Sequence, residues 1–235
     1  MIRTNNAYFL HIPKTAGTWV RNVLQPITVG HIDRWVPPDD FKHDHVYAFV
    51  RNPWEWYFSV FNFLNHGSEL MLEPKKNFFR LIGNPKSFDE FVVALCDPKQ
   101  EVKSNLLKFY RIHFKNQLKE TDNLVDFDAQ LAADPHGIIY SKWVNNNVSF
   151  YEQIASVYLN HCTRVGKYET VRQDLIAMLS DSNELTDEIQ KDIDTRSKLN
   201  VTVNRDDYRL HYNTKTIELV EQTSQFLSAY NYKFE

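Results

Sequence analysis

The sequence is poor in glycine, in cysteine and in excess charge of either sign. Only six of its 235 residues are glycine, roughly 3% against about 7% in average proteins. A glycine-rich phosphate loop therefore fits in one place at most. The two cysteines, Cys96 and Cys162, lie far apart and form no CxxC motif, which excludes a disulfide framework and a zinc knuckle. A net charge of -3 argues against a general polyanion binder, and we expect no nucleic-acid partner.

Long hydrophobic runs are also missing. The apolar run near the N-terminus is shorter than the ~7–15 residues of a signal peptide or the ~20 of a membrane span. These features predict a cytoplasmic protein that does not enter a membrane. With 43% hydrophobic residues the chain can bury a core. Its length, without repeats or linkers, predicts a single domain over 1–235.

Two strand-turn-helix units are visible in the N-terminal part. Residues 7–12 predict a strand, followed by a turn at 13–17 and a helix to about Leu24. The apolar run 46–50 predicts a buried strand, and a helix should begin at Asn52–Pro53 and end before Gly67. Further helices are predicted over 88–96, 103–118, 149–160, 169–180, 184–198 and 214–230, and strand-like segments over 136–143 and 163–167. We therefore expect an α/β fold with a central parallel sheet flanked by helices and a helix-rich C-terminal half.

The first turn has the composition of an anion-binding loop. In FLHIPKTAGTWV, residues 9–20, an apolar strand runs into Lys14, Thr15, Gly17 and Thr18 as a helix begins. Backbone N–H groups at a helix start bind anions, and a lysine adds a point charge. The segment is not a Walker A motif, because its lysine precedes its only glycine. An ordinary strand-helix turn is the alternative.

The second strand ends in another candidate anion ligand. In FVRNPWEWYFSVF, residues 49–61, Arg51 would stand at the carboxyl edge of a parallel sheet, where ligands of open α/β folds bind. Ser59 follows about two turns along the next helix. An arginine can grip a phosphate with two N–H groups, and a hydroxyl can provide a second contact. Alternatively, Arg51 closes the sheet edge and Ser59 faces solvent.

Taken together and in this order, HIPKTAGT and VRNPW(x5)S resemble the sulfotransferases that use 3′-phosphoadenylyl sulfate (PAPS). They are most similar to the carbohydrate branch, with its heparan-type 2-O-sulfotransferases and bacterial relatives. The resemblance implies a three-layer, P-loop-like fold and a sulfuryl transfer from PAPS to a hydroxyl. It implies no metal, and adenosine 3′,5′-bisphosphate as product. The acceptor would be a glycan or a small molecule.

The resemblance also assigns roles to residues of this chain. It implies that the segment Lys14, Thr15, Ala16, Gly17, Thr18 and Trp19 holds the 5′-phosphosulfate, and that Arg51 and Ser59 hold the 3′-phosphate. Trp19 and Trp56 depart from the pattern, standing where the family has serine and a second arginine. Core packing is the favoured interpretation of both indoles, and contact with adenine or acceptor is the alternative. VGKYETVRQDL (165–175) and the ending YNTKTIELV…YNYKF (212–234) are weaker similarities.

Sulfuryl transfer needs positive charge at the leaving phosphate and a base at the acceptor. Lys14 is the candidate for the first role. His31, between the two motifs, is the candidate base, because histidine titrates near neutral pH. The rivals are His43, His45, Asp33, Asp44 and Glu55, whereas His11 is expected to orient the loop. Lys167, Asn204, Arg205 and Arg209 could reach an anionic group, although a solvated surface is the simpler interpretation for them.

Two other functions remain open. One is a P-loop kinase of nucleotides or small molecules, which would need a Walker-type lysine and a carboxylate for Mg²⁺. The other is a nucleotide-binding protein of the same fold without turnover, for which Trp19 and Trp56 are the best argument.

Overall fold

The computed structural model describes residues 1–31, 45–66, 78–80, 82–97, 148–159, 161–197 and 206–234. They form two compact units, each assembled from two segments of the chain. Unit 1 comprises Met1–Asn52 and Ile154–Arg205, and unit 2 comprises Pro53–Gln153 and Asp206–Glu235. Because interleaved segments can belong to one domain, the single domain over 1–235 stays a prediction.

Unit 1 is built around a five-stranded sheet with helices. Its strands are β1 (Ile2–Arg3), β2 (Tyr8–Leu10), β3 (Gly30–His31), β4 (Val46–Val50) and β5 (Arg164–Lys167), and its helices include α1 (Gly17–Leu24), α5 (Val171–Asp181) and α6 (Asp187–Thr195). The strand order is β3-β1-β2-β4-β5. The α/β class is thereby confirmed.

The sheet is mixed, so the expectation of a parallel sheet was wrong for its first strands. β2, β4 and β5 are parallel neighbours, whereas β1 is antiparallel to both β2 and β3. The cause is a tight turn between β1 and β2, in which the Thr4 amide donates to the Ala7 carbonyl at 2.9 Å. Strands this close in sequence pair as an antiparallel hairpin.

Side chains on both faces of the sheet are buried. Phe9, Tyr47 and Phe49 lie in one apolar cluster with side chains from all three helices, including Val20, Leu175 and Ile193. On the opposite face, alternate strand residues are buried as well: Tyr8, Leu10, Val46, Ala48 and Val50. A parallel sheet needs such cover on both faces.

Unit 2 is helical and rich in aromatic side chains. Its helices are α2 (Pro53–His66), α3 (Phe88–Cys96), α7 (Thr214–Thr223) and α8 (Phe226–Ala229), with the start of α4 (Phe150–Leu159). Trp56 stacks on Tyr151 with ring centroids 4.4 Å apart. The Tyr212 hydroxyl donates to the Trp54 carbonyl at 2.9 Å, and Ser224 and Phe226 donate to the buried Glu152 carboxylate.

Most predicted elements within the described residues have the expected positions. The strand 46–50, the helix start at Pro53 and the helix 88–96 are reproduced, and five helices against one strand confirm a helix-rich C-terminal half in the part of it described. The predicted helix 214–230 is interrupted at Ser224–Gln225. The segments 103–118 and 136–143 and the C′ position Gly67 lie outside the described residues. No described helix has the length and apolar character needed to cross a membrane.

Candidate functional site

The loop between β2 and α1 has a strained backbone. Lys14 and Ala16 both adopt positive φ values, 66° and 73°, on either side of Thr15. Residues with a Cβ rarely occupy this region, and such strain concentrates at functional sites. Alternation of negative and positive φ also turns successive N–H groups toward one side, a geometry that binds anions. The expected anion loop therefore has a suitable backbone.

Glycine serves this loop by its small size. Gly17 does not have a positive φ, but a Cβ on it would lie 1.8 Å from His11 Cδ2 and 2.4 Å from His11 Cγ. The His11 imidazole thus occupies the space of a side chain at position 17. The ring thus packs beside the helix start, and the expected role of His11 in orienting the loop stays a prediction.

The first turn of α1 has free donors. In the described residues, the amides of Gly17, Thr18 and Trp19 donate no hydrogen bond, and the first bond of the helix is Val20 N–H to the Ala16 carbonyl at 3.0 Å. Ala16 precedes the helix without a side-chain cap, and the first turn contains no acidic residue. An uncapped helix start presents N–H groups and a partial positive charge.

The surroundings of His11 are electropositive. Its pKa is lowered from 6.5 to about 4, first by desolvation among the surrounding protein atoms and then by the charges of the Met1 amino group, Arg21 and Lys14. The residue nevertheless keeps an exposed surface. His11 is therefore neutral at pH 7, and a bound anion would favour its protonation.

Arg51 is fixed directly beside the loop. It follows β4, the parallel neighbour of β2, so both chain segments leave the sheet at the same edge. The Arg51 guanidinium donates from Nη1 to the Lys14 carbonyl at 3.0 Å, and the residue is only 3% exposed. The two sequence motifs are thus joined by a direct hydrogen bond.

A third segment reaches the same edge from β5. The Tyr168 amide donates to the Val50 carbonyl at 2.7 Å, which extends the ladder by one residue past β5. The Tyr168 ring faces the Arg51 guanidinium, with 4.0 Å between Cζ and the ring centroid. Glu169 accepts from the Asn52 amide at 2.7 Å. Sequence reasoning noted the VGKYE similarity but gave Tyr168 and Glu169 no role.

The side chains of the loop differ in what they offer a ligand. Thr15 is buried, and its hydroxyl donates to the Ile12 carbonyl at 2.8 Å, so it closes the turn. Trp19 is 5% exposed and belongs to the apolar core of unit 1, which supports the core interpretation of its indole. Its backbone amide lies in the first turn of α1, among the amides that donate no hydrogen bond in the described residues. Lys14, Ala16, Gly17 and Thr18 are half-buried.

The part of the second motif from Pro53 onward, which includes Ser59 and Trp56, lies in unit 2. Ser59 is half-buried on α2, and its proposed phosphate contact stays a prediction. Trp56 is 2% exposed and stacked on Tyr151, which agrees with core packing and leaves no aromatic surface for a ligand.

The candidate bases are distributed unequally. β3 runs in the same direction as β2, and His31 and Phe9 both pair with Ile2, so two strand spacings of ~4.8 Å separate them. His31 thus lies level with Phe9, the middle residue of β2, and the assignment of His31 as the base stays a prediction. His45 precedes β4 at the opposite edge, roughly 20 Å from Arg51 at ~3.3 Å per residue, and its Nδ1 lies 2.9 Å from the Tyr47 hydroxyl. His45 therefore lies at the other end of β4 from Arg51.

The other singled-out residues contribute little to the site. His43, Asp33, Asp44, Asn204 and Arg205 lie outside the described residues, and Glu55 is half-buried on α2. Arg209 is exposed and bound to Asp207, as expected for a solvated surface. The Lys167 amide donates to Asp174 at 2.7 Å. Among the described side chains no group of histidine, cysteine and carboxylate residues could hold a metal ion.

The site thus combines an uncapped helix start, a strained loop, a lysine and a buried arginine at the carboxyl edge of neighbouring parallel strands. Comparison of the chain with models of protein families, with curated proteins and with solved structures finds no match.

Proposed function

We propose that this chain is a PAPS-dependent O-sulfotransferase whose donor binds at the loop 14–18 and Arg51. One observation carries the proposal: the left-handed loop containing Lys14 is hydrogen-bonded to the buried Arg51 guanidinium. Two cationic side chains and the free amides of a helix start are thereby gathered at one edge of the sheet. A ligand with two separate anionic groups, such as a nucleoside 3′,5′-bisphosphate, suits this arrangement.

The proposed fold is the three-layer, P-loop-like fold of the sulfotransferases. Its support is the β2-loop-α1 connection, the parallel β2-β4-β5 order and the burial of both sheet faces. On the side of β2, the antiparallel strand β1 extends this parallel core.

The proposed reaction is an in-line transfer. The acceptor oxygen forms a bond to sulfur while the bond from sulfur to the 5′-phosphate oxygen breaks, and the hydroxyl proton passes to a base. Negative charge then increases on the departing bisphosphate, where Lys14 and the amides of residues 17–19 can stabilise it. His31 remains the proposed base, as a histidine that lies between the two motifs in the sequence and titrates near neutral pH. Ser59 remains the predicted second ligand of the 3′-phosphate. The acceptor is a hydroxyl compound, with a carbohydrate favoured by the resemblance.

Ligand-induced thermal stabilisation tests donor binding. At a hundredfold excess over Kd, adenosine 3′,5′-bisphosphate without metal should stabilise the fold by about 2.7 kcal/mol, or roughly 5–10 °C in Tm for a chain of this size. Lys14→Ala should lose most of the shift. Lys215→Ala, at an exposed lysine on α7, is the matched control and should retain it. Stabilisation by ATP–Mg²⁺ but not by the bisphosphate would refute the proposal in favour of a kinase.

A further inference from the structure

The Arg51 guanidinium is held from two sides. One side is the hydrogen bond from Nη1 to the Lys14 carbonyl at 3.0 Å. The other is the Tyr168 ring, whose centroid lies 4.0 Å from Arg51 Cζ. A guanidinium above an aromatic face is attracted by the ring quadrupole, most strongly when both groups are shielded from water. Arg51 is almost fully buried and Tyr168 half-buried.

The position of Tyr168 is itself fixed by the backbone. Its amide donates to the Val50 carbonyl, the last residue of β4, at 2.7 Å. The next residue, Glu169, accepts from the Asn52 amide at 2.7 Å. The residues before and after Arg51 are thus both hydrogen-bonded to the segment that carries the ring. A movement of the Tyr168 backbone relative to Arg51 would break one of these bonds.

We propose that Tyr168 is a positioning residue that orients Arg51 for the 3′-phosphate of the donor. The inference rests on the proposed function, because it assumes that Arg51 receives this phosphate. A buried arginine can bind a phosphate through two N–H groups only if the plane of its guanidinium is directed correctly. The ring and the Lys14 carbonyl fix that plane before the ligand arrives. Part of the entropy cost of binding is thereby met in the folded protein.

The expected consequence is a selective loss of affinity. Without the aromatic face, recognition of the 3′-phosphate should weaken by roughly three- to thirtyfold, the range of a cation–π contact. Binding through the 5′-phosphate should change little, since the loop 14–18 remains. Tyr168→Phe keeps the face and should behave as the wild type. Tyr168→Leu removes the aromatic face and should lose part of the preference for a nucleotide with a 3′-phosphate over one without it.

Titration calorimetry of the whole chain with adenosine 3′,5′-bisphosphate and with adenosine 5′-monophosphate tests this inference. The measured quantity is the Kd of the monophosphate divided by the Kd of the bisphosphate, for wild type, Tyr168→Phe and Tyr168→Leu. The proposal expects the ratio to fall in the leucine variant alone. If the leucine variant does not fold, Tyr168→Met provides the same comparison.

Three results would overturn the inference. Unchanged Kd values for both nucleotides in the leucine variant show that the ring does not orient Arg51. An equal loss of affinity for both nucleotides indicates a general structural role. A loss of the same size in Tyr168→Phe assigns the effect to the hydroxyl group. In all three cases the wild type still binds the bisphosphate, whereas a wild type without affinity for it refutes the proposed function as well.

Discussion

The contact between His11 and Gly17 gives a prediction that does not depend on the ligand. Gly17 lies at the first position of α1 without a positive φ, so alanine fits its backbone conformation. The added methyl group would lie 1.8 Å from His11 Cδ2 and 2.1 Å from Nε2. The imidazole must therefore leave its place in Gly17→Ala.

The magnitude follows from two opposing effects. Because His11 is exposed, its ring can rotate away at about 0.5–1.5 kcal/mol, the cost of an off-rotamer side chain, whereas replacing glycine by alanine in a helix gains at most ~1 kcal/mol. Gly17→Ala alone should therefore lower the free energy of unfolding by up to ~1.5 kcal/mol. In an His11→Ala background the ring is absent, and the same substitution should be neutral or stabilising. The coupling energy between the two positions should be about 0.5–1.5 kcal/mol.

Urea denaturation of the wild type, both single variants and the double variant measures this coupling. Residues without contact show additive effects within about 0.5 kcal/mol. Additive effects would therefore refute the packing of His11 on Gly17. A destabilisation by Gly17→Ala that persists in the His11→Ala background would place the strain in the helix itself.

Three further predictions concern pH, the base and the scaffold. Because the pKa of His11 is lowered from 6.5 to about 4, the unfolded chain binds more protons than the folded chain between these pH values. The free energy of unfolding should therefore fall as pH decreases through this window. In urea titrations His11→Gln should flatten this pH dependence, and an unchanged slope would contradict the prediction. His31→Ala should lower turnover at saturating PAPS while leaving bisphosphate affinity nearly unchanged, whereas Lys14→Ala should lower both; equal loss of donor affinity in the His31 variant would exclude it as the base. Arg172 donates to three carbonyls at the end of α6. Arg172→Lys should therefore lower the free energy of unfolding in urea by about 1–3 kcal/mol, and an unchanged midpoint would contradict this.

The elements that could be predicted from the sequence are those with strong local signals. Five consecutive apolar residues over 46–50 and the Asn52–Pro53 pair defined β4 and the start of α2. β1 and β3 contain two residues each, and such short strands arise from pairing with neighbours rather than from a local pattern. The antiparallel start of the sheet was missed for the same reason.

The candidate site was predictable in its ligand-like residues but not in its contacts. The sequence indicated the loop and Arg51 because a lysine and an arginine each follow an apolar strand. It did not indicate that Lys14 and Ala16 take the left-handed conformation, which glycine usually adopts. The contact from Tyr168 to Arg51 joins distant parts of the chain and depends on β4 and β5 being neighbours. A short motif contains no information about such pairing.

Sulfuryl transfer itself tests the central claim most directly. The chain is incubated with isotope-labelled PAPS and three acceptor classes, namely carbohydrates, small alcohols and tyrosine peptides, without added metal. We expect a labelled sulfate ester with at least one class and release of one adenosine 3′,5′-bisphosphate for each ester formed. Formation of no sulfate ester with any class, or transfer of phosphate from ATP–Mg²⁺ to the same acceptors, would contradict the account.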